Sequence, residues 1–271
     1  MVGSVFMETL RQSWRAVLYW ALGMGAMALF VVAIVPDVNG LAEMRKLFES
    51  LPPFLTAALG VATPEDLQFI TTPEGFLATV FFGKMALLFA IYPLVMGLRI
   101  TINEEDEGIM DVVLSLPVPR WRVVTEKFLA FALSAVVVVV AMLIGFWLGV
   151  QVTHQDLNSG EILSSVINTL PIMLFVLACT VFIGVAVRHK KMAIAIAVIF
   201  ILYSYSLDSI GTMAAGSFAE NVRILSFFKY YDNMGTMRSG ISFLNAGGLV
   251  AAAALLMGAS LWLWERREIG V

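Results

Sequence analysis

Apolar residues gather along this chain into six long runs, separated by polar connections of very unequal length. A helix crossing the hydrocarbon of a bilayer needs about 20 mostly apolar residues. The runs at 16–35, 76–98, 128–150, 166–187, 192–208 and 243–264 are each predicted to be such a span. The fifth is short and leads into a glycine-rich stretch. Ahead of the first run, Phe6, Leu10, Trp14 and Val17 recur at helical spacing, with Glu8, Arg11, Gln12 and Arg15 on other faces. This predicts a helix over 3–15 that lies in the membrane interface and turns into the first span; a plain extension of that span is the other reading. Of the two long connections, 36–75 is broken by Pro52, Pro53, Pro64 and Pro73. The other, 209–241, carries Phe227, Phe228, Tyr230 and Tyr231 among its glycines. It is too apolar for a free loop and too interrupted for a span. Short helices dipping into one leaflet fit it, because broken backbone at that depth must be covered by protein. The predicted fold class is an all-α polytopic membrane protein, with residues 1–271 forming one transmembrane domain.

Composition agrees. The chain is 60% hydrophobic and 14% charged, with a mean hydropathy of +0.89, where a soluble domain carries about a quarter charged residues. A net charge of −3 gives no basic face for nucleic acid. The lone Cys179 excludes an intrachain disulfide and reads as a small buried hydrophobe. The first run is too long for a signal peptide and lacks a small-residue cleavage site, so it is expected to remain as a span. With the N-terminus inside, eleven of the 17 Lys and Arg residues fall on the inner side and five on the outer. The short connections decide the matter: Arg188, Lys190 and Lys191 crowd one, while 151–165 has no Lys or Arg. Both termini are therefore expected in the cytoplasm, at the plasma membrane of a prokaryote.

Motifs for catalysis or nucleotide binding are absent from the sequence. No stretch fits the phosphate-cradling G-x-x-x-x-G-K-[ST] pattern, and neither H-E-x-x-H nor G-x-S-x-G occurs. His154 and His189 fall on opposite sides of the predicted membrane, which leaves no His-based metal site. An ATP-driven system would need its nucleotide bound by another chain. Lys84 is the ionisable residue clearly inside a predicted span, about 12 Å below the outer edge of the second run. Such a residue calls for a partner or a wet cavity, with snorkelling to the surface as the plainer reading. Asp208, near the outer end of the fifth run, is its nearest expected partner. Gly145-Phe-Trp-Leu-Gly149 would allow close helix approach, within one subunit or between two. No internal repeat is evident, which weakens an inverted-repeat transporter.

The connection 103–127 differs in kind. Glu104, Glu105, Asp106, Glu107 and Asp111 form an acidic knot, and carboxylates suit the start of a helix. Ile109, Val112, Val113 and Leu116 follow on one helical face. Pro117 and Pro119 then stop the helix, and Arg120, Arg122 and Lys127 lead back to an anionic inner leaflet. The reading is a short cytoplasmic helix held between two spans, with a docking role favoured over that of a plain charged turn.

At this point the chain resembles the integral-membrane permease of type-2 ATP-binding-cassette exporters over nearly its whole length. The resemblance lies in the N-terminal helix, six spans, a long first outer loop and a broken segment before the last span. Its most specific part is the family's E-E-x-G-T pattern, which here reads Glu105-Asp106-Glu107-Gly108-Ile109 and runs on through Met110 to Pro117. Ile109 replaces the usual threonine and removes a possible hydroxyl cap. The stretch Leu225-Ser-Phe-Phe-Lys-Tyr-Tyr-Asp232 also resembles the family's aromatic segment before the last span.

The resemblance implies a non-catalytic permease subunit that binds no cofactor or metal of its own. Two copies, or this chain and a paralogue, would form the pathway within membrane lipid. Cytoplasmic ATPase subunits holding ATP and Mg would dock at Glu105, Asp106, Glu107, Gly108, Ile109, Met110, Val113 and Leu114, making 103–127 a coupling loop. A secondary transporter or channel remains as an alternative but would need ionisable residues along a midplane path, where Lys84 stands by itself. A membrane scaffold or an intramembrane enzyme is the other alternative; the enzyme would need convergent catalytic side chains, and none stands out.

Overall fold

In a computed structural model the chain is described over residues 4–52, 55–56, 61, 63–106, 119–187, 189–213 and 218–266. Among these residues every regular element is helical. Six stretches are long and apolar enough to cross a membrane: Val5–Ala33, Pro73–Thr101, Arg120–Thr153, Ser159–Ala186, Lys190–Met213 and Phe243–Arg266. They correspond one to one with the six runs of the sequence.

The first helix, α1, runs unbroken over Ser4–Ala33. The amphipathic 4–15 segment is continuous with the first span in this helix. Thirty residues make a rod of about 45 Å, against about 30 Å of hydrocarbon, so the polar N-terminal turns have room to stand beyond the lipid core. The described residues of the first connection include two short helices, α2 (Val38–Ser50) and α3 (Pro64–Ile70). Thr63 caps α3 through a capping box with Asp66, and Pro64 takes the first helical turn, where its missing N–H costs nothing.

The second span is composite. It consists of α4 (Pro73–Leu77), a π-helical turn (Ala78–Lys84) and α5 (Ala86–Asp106). The third, α6 (Arg120–Thr153), starts eight residues earlier than the apolar run, because Arg120-Trp121-Arg122 already forms its first turn. The fourth is broken at Asn168 into α7 (Ser159–Ile167) and α8 (Thr169–Ala186). The fifth is α9 (Lys190–Met213). Next come the short α10 (Phe218–Val222), a 3-10 turn (Arg223–Leu225), α11 (Phe227–Tyr231) and α12 (Asn233–Ser239), and then the last span, α13 (Phe243–Arg266). The segment 218–239 thus takes the interrupted helical form its sequence predicts.

Lipid tails are as apolar as the side chains, so small residues and close packing bring such helices together. The G-x-x-x-G of the third span serves this end inside one subunit. A Cβ at Gly145 would collide with the Gly25 carbonyl, and one at Gly149 would come within 2.8 Å of Val32 Cβ. With the Phe6–Glu126 contact described below, these pairings run in the same order along both helices, so α1 and α6 lie parallel. A Cβ at Gly97 would likewise run into Thr180, whose hydroxyl donates to the Pro93 carbonyl at 3.3 Å and ties the second span to the fourth. Phe81, Phe82, Phe89 and Phe146 fill the space between the second and third spans, with the Phe81 and Phe146 rings 5.0 Å apart and edge to face. The fourth span is central: 61% of its most apolar stretch is buried within the subunit, against 17% for the sixth.

Alternation of the spans puts the helix ends at Ala33, Pro73, Thr153, Ser159, Met213 and Phe243 on one side of the bundle, the connection end, and those at Ser4, Asp106, Arg120, Ala186, Lys190 and Arg266 on the other, the terminal end. Two contacts confirm the grouping. The Asn158 N–H donates to Glu74 at 3.2 Å at the connection end, and the Phe6 N–H donates to Glu126 at 3.1 Å at the terminal end.

Candidate functional site

At the connection end the π-helical turn, α9 and the short helices α10–α12 line a half-open cavity of about 420 Å³, within the range of small-molecule sites. Lys84, Asp208, Glu220, Arg223, Asp232 and Arg238 line it together with Asp66, Tyr231 and Asn233. This concentrates charge of both signs in a chain that is otherwise apolar. Lys84 and Asp208, expected to be partners, do face the same cavity. Asp208 also pairs with Arg223, with Nε 2.7 Å from Oδ1. That arginine sits in the interrupted segment, where no periodicity points to it.

The short helices are fastened over the cavity as a cap by polar contacts to four elements. Ser226 donates to the Ser204 carbonyl of α9 at 2.7 Å, and the Phe227 N–H donates to the Ser204 hydroxyl at 3.1 Å. Asn168, at the break in the fourth span, donates to the Tyr231 carbonyl at 2.6 Å and to the Thr236 hydroxyl at 3.0 Å. Asn233 donates to the Ala78 carbonyl of the π turn at 2.6 Å. Arg238 pairs with Asp66 of α3 at 2.7 Å and lies over the Phe69 ring, 4.6 Å from its centroid. The Tyr231 hydroxyl is buried with no hydrogen-bond partner among the described residues, and burial drives its pKa well above the usual phenol value. Asn168 marks the cap's anchor in the sequence, as an amide inside an apolar run, yet hydropathy averages over it.

Burial alone would raise the Asp66 carboxyl, but hydrogen bonds from Thr63 and Arg238 outweigh it and hold its pKa below the usual value. A depressed pKa stabilises the folded contact above the ordinary carboxylate range and is lost as pH falls through the folded value. The Arg238–Asp66 clamp is therefore expected to hold from pH 8 down to 5 and to loosen only below about pH 4. Hydrogen exchange of 64–70 across that range checks it, and Arg238→Gln should move the loosening upward in pH.

At the terminal end the predicted docking loop is shorter than its sequence suggests. Helix α5 continues through Asp106 and α6 begins at Arg120. Residues 104–106, including Glu105 and Asp106, thus lie in the last turn of the second-span helix rather than at the start of a new one. This is the negative end of the helix dipole, which does not compensate carboxylates. Glu107, Gly108, Ile109, Met110, Val113 and Leu114 lie outside the described residues. Where the chain re-enters the bundle, Glu126 holds Arg122 at 2.7 Å and accepts the Phe6 N–H at 3.1 Å. It thereby caps one of the unsatisfied first-turn donors of α1 from another helix. Removing it by Glu126→Ala should raise hydrogen exchange at amides 5–8 about tenfold, the equivalent of one charge-assisted bond; Glu126→Gln, which keeps an acceptor oxygen, should fall between.

Taken together, six packed apolar helices with a charged cavity at one end define a polytopic membrane protein. The chain matches the family described as ABC-2 family transporter protein over residues 4–269, and it belongs to that family. No curated protein matches the chain. Membership makes it a membrane component of an ABC transport system, a class that is generally non-catalytic and associates with an ATP-binding partner.

Proposed function

We propose that this chain is the permease subunit of an ATP-driven exporter, working as a dimer with a second copy or a paralogue. The observation that carries the reading is the family match over nearly the whole chain, joined to six spans and a sequence without a phosphate-binding loop. ATP and Mg are then held by a separate cytoplasmic ATPase. The positive-inside distribution supports a cytoplasmic terminal end, with the charged cavity on the outer side of what we take to be a prokaryotic plasma membrane.

The ATPase docks on the loop between spans two and three, with Ile109, Met110, Val113 and Leu114 as its apolar contact and Glu105, Asp106, Glu107 and Gly108 shaping the loop's start. The Glu126 contact supports this division of labour. It links the exit of the loop to the beginning of α1, so a push on the loop reaches the first span directly. A secondary transporter would need ionisable groups strung across the midplane, whereas the charges lining the cavity gather at one end. Co-expression with an ATPase encoded alongside, followed by purification through a tag on the permease, tests the reading. A stoichiometric complex whose ATPase responds to the permease supports it; a permease that transports with no ATPase bound overturns it.

A further inference from the structure

The π turn at Ala78–Lys84 is the feature of the second span that permease architecture leaves unexplained. A π turn holds one more residue than an α turn with poorer hydrogen-bond geometry, and it persists where its surroundings hold it. Here the support comes from a distant part of the chain. Asn233 Nδ2 donates to the Ala78 carbonyl at 2.6 Å, and the Thr79 hydroxyl lies 3.7 Å from Met234 Sδ. Gly83 makes room for the amide, since a Cβ there would stand 3.0 Å from Asn233 Nδ2 and 3.3 Å from the Ala78 oxygen. Asn233 is itself delivered by a fixed piece of backbone. Asp232 before it takes the left-handed conformation (φ 37°) and caps α12 by accepting the Gly235 N–H at 3.1 Å.

We propose that Asn233 is a positioning residue, the catch that keeps the second span in its wide register, and that releasing it from Ala78 lets the turn close to α-helix and frees the cap from the span. The inference rests on the reading of this chain as a moving transport subunit. Its geometry follows from the connectivity. The second span leads through α5 to Asp106 at the terminal end, while α12 is tied elsewhere to Asp66 through Arg238 and to Asn168 through Thr236. Asn233 makes the shorter of the two hydrogen bonds described between α12 and the π turn, the other being the weak Thr79 hydroxyl bond to Met234 Sδ. Closing that turn advances the helix by one residue's step, about 1.5 Å and about 100°. It also displaces Lys84, the last residue of the turn, relative to the Arg223–Asp208 pair across the cavity. A movement at the terminal end can thus be turned into rotation beneath the cap without unfolding the span.

The test uses the full-length permease in lipid nanodiscs, with hydrogen exchange read over residues 78–88. Asn233→Asp keeps the size but removes the N–H donor, and Gly83→Ala pushes the amide off from the other side. Both should raise exchange in this window about tenfold, the equivalent of one lost hydrogen bond, while α6 and α8 keep wild-type protection. Deleting Val80 in the Asn233→Asp background removes the extra residue and should restore helical protection, which a merely damaged contact would not show. With the partner ATPase bound, adding a non-hydrolysable ATP analogue should change exchange at 78–84 in the wild type and leave it unchanged in Asn233→Asp, where the catch is already open. Wild-type exchange in both single variants, or an intact nucleotide response in the Val80 deletion alone, overturns the inference. Failure of any ATPase to bind the wild type would instead remove the exporter reading, and the comparison in the permease alone would still decide whether Asn233 holds the turn.

Discussion

Val113→Asp is expected to sever transport from ATP hydrolysis while the permease still reaches the membrane. The apolar residues Ile109, Val112, Val113 and Leu116 share one face by spacing alone. A face of that kind in a polar loop is suited to a partner protein's groove. Placing a carboxylate at its centre strands a buried unpaired charge, at a cost of about 2–5 kcal/mol, so ATPase stimulation and transport should both fall by at least ~30-fold. Membrane insertion should be spared, because position 113 lies in the sequence between the flanking span helices, which end at Asp106 and begin at Arg120. Val113→Leu, which keeps the apolar surface, should retain most coupling. Measuring ATPase rate, transport and surface level on the same preparations separates a docking defect from a folding defect.

Gly145→Leu is expected to fail earlier, at assembly of the bundle. The first and third spans approach so closely at Gly25 and Gly145 that even a Cβ meets a backbone carbonyl. A backbone atom cannot step aside as a side chain can, so the variant must separate the two helices or shift them along one another. Overpacking in a well-packed interior costs about 1–3 kcal/mol, and in lipid close packing of this kind is what holds two helices together. Separation would also break the Phe6–Glu126 contact at the far end of the same pair. A lower melting temperature in detergent and a loss of folded yield are the expected results. Gly258→Leu is the matched control, since nothing lies within 4 Å of a Cβ at that position in the last span, and it should melt close to wild type.

These two expectations rest on different kinds of legibility. The spans are legible because lipid supplies no hydrogen bonds, so a crossing segment must be both helical and apolar for its whole width. The Gly145–Gly149 spacing is visible in the sequence, but its partner is not, and only the packing of α1 along α6 shows that it works within one subunit. The π turn at Ala78–Lys84 and the break at Asn168 lie inside apolar runs. Both answer to groups more than 60 residues away, Asn233 for the first and Tyr231 and Thr236 for the second. No local pattern carries that information. The same holds for the Asp208–Arg223 pair, whose arginine comes from a segment with no periodicity. The acidic knot misleads for another reason. Carboxylates usually mark helix starts, but the helix of the second span is long enough to run on through Asp106 and absorbs three of them into its final turn.

The charged cavity is the part of the site that sequence reasoning assembled least. Lys84 and Asp208 were visible as anomalies in apolar runs, and the fold brings them to one place. Arg238, Asp66 and Asn233 become meaningful only once the interrupted segment folds back over the first connection. Their contacts give the exporter reading two ends to work between, a polar loop at the terminal end and a fastened cap at the other, with the second span running from one to the other.

The most direct test of that account is a photo-crosslinking amino acid placed at position 113 of the permease in cells that also express the neighbouring ATPase. The account predicts an adduct between position 113 and the ATPase, with little or none from a control position on the outer side such as 156. Transport that persists with no ATPase adduct at 113 would contradict it.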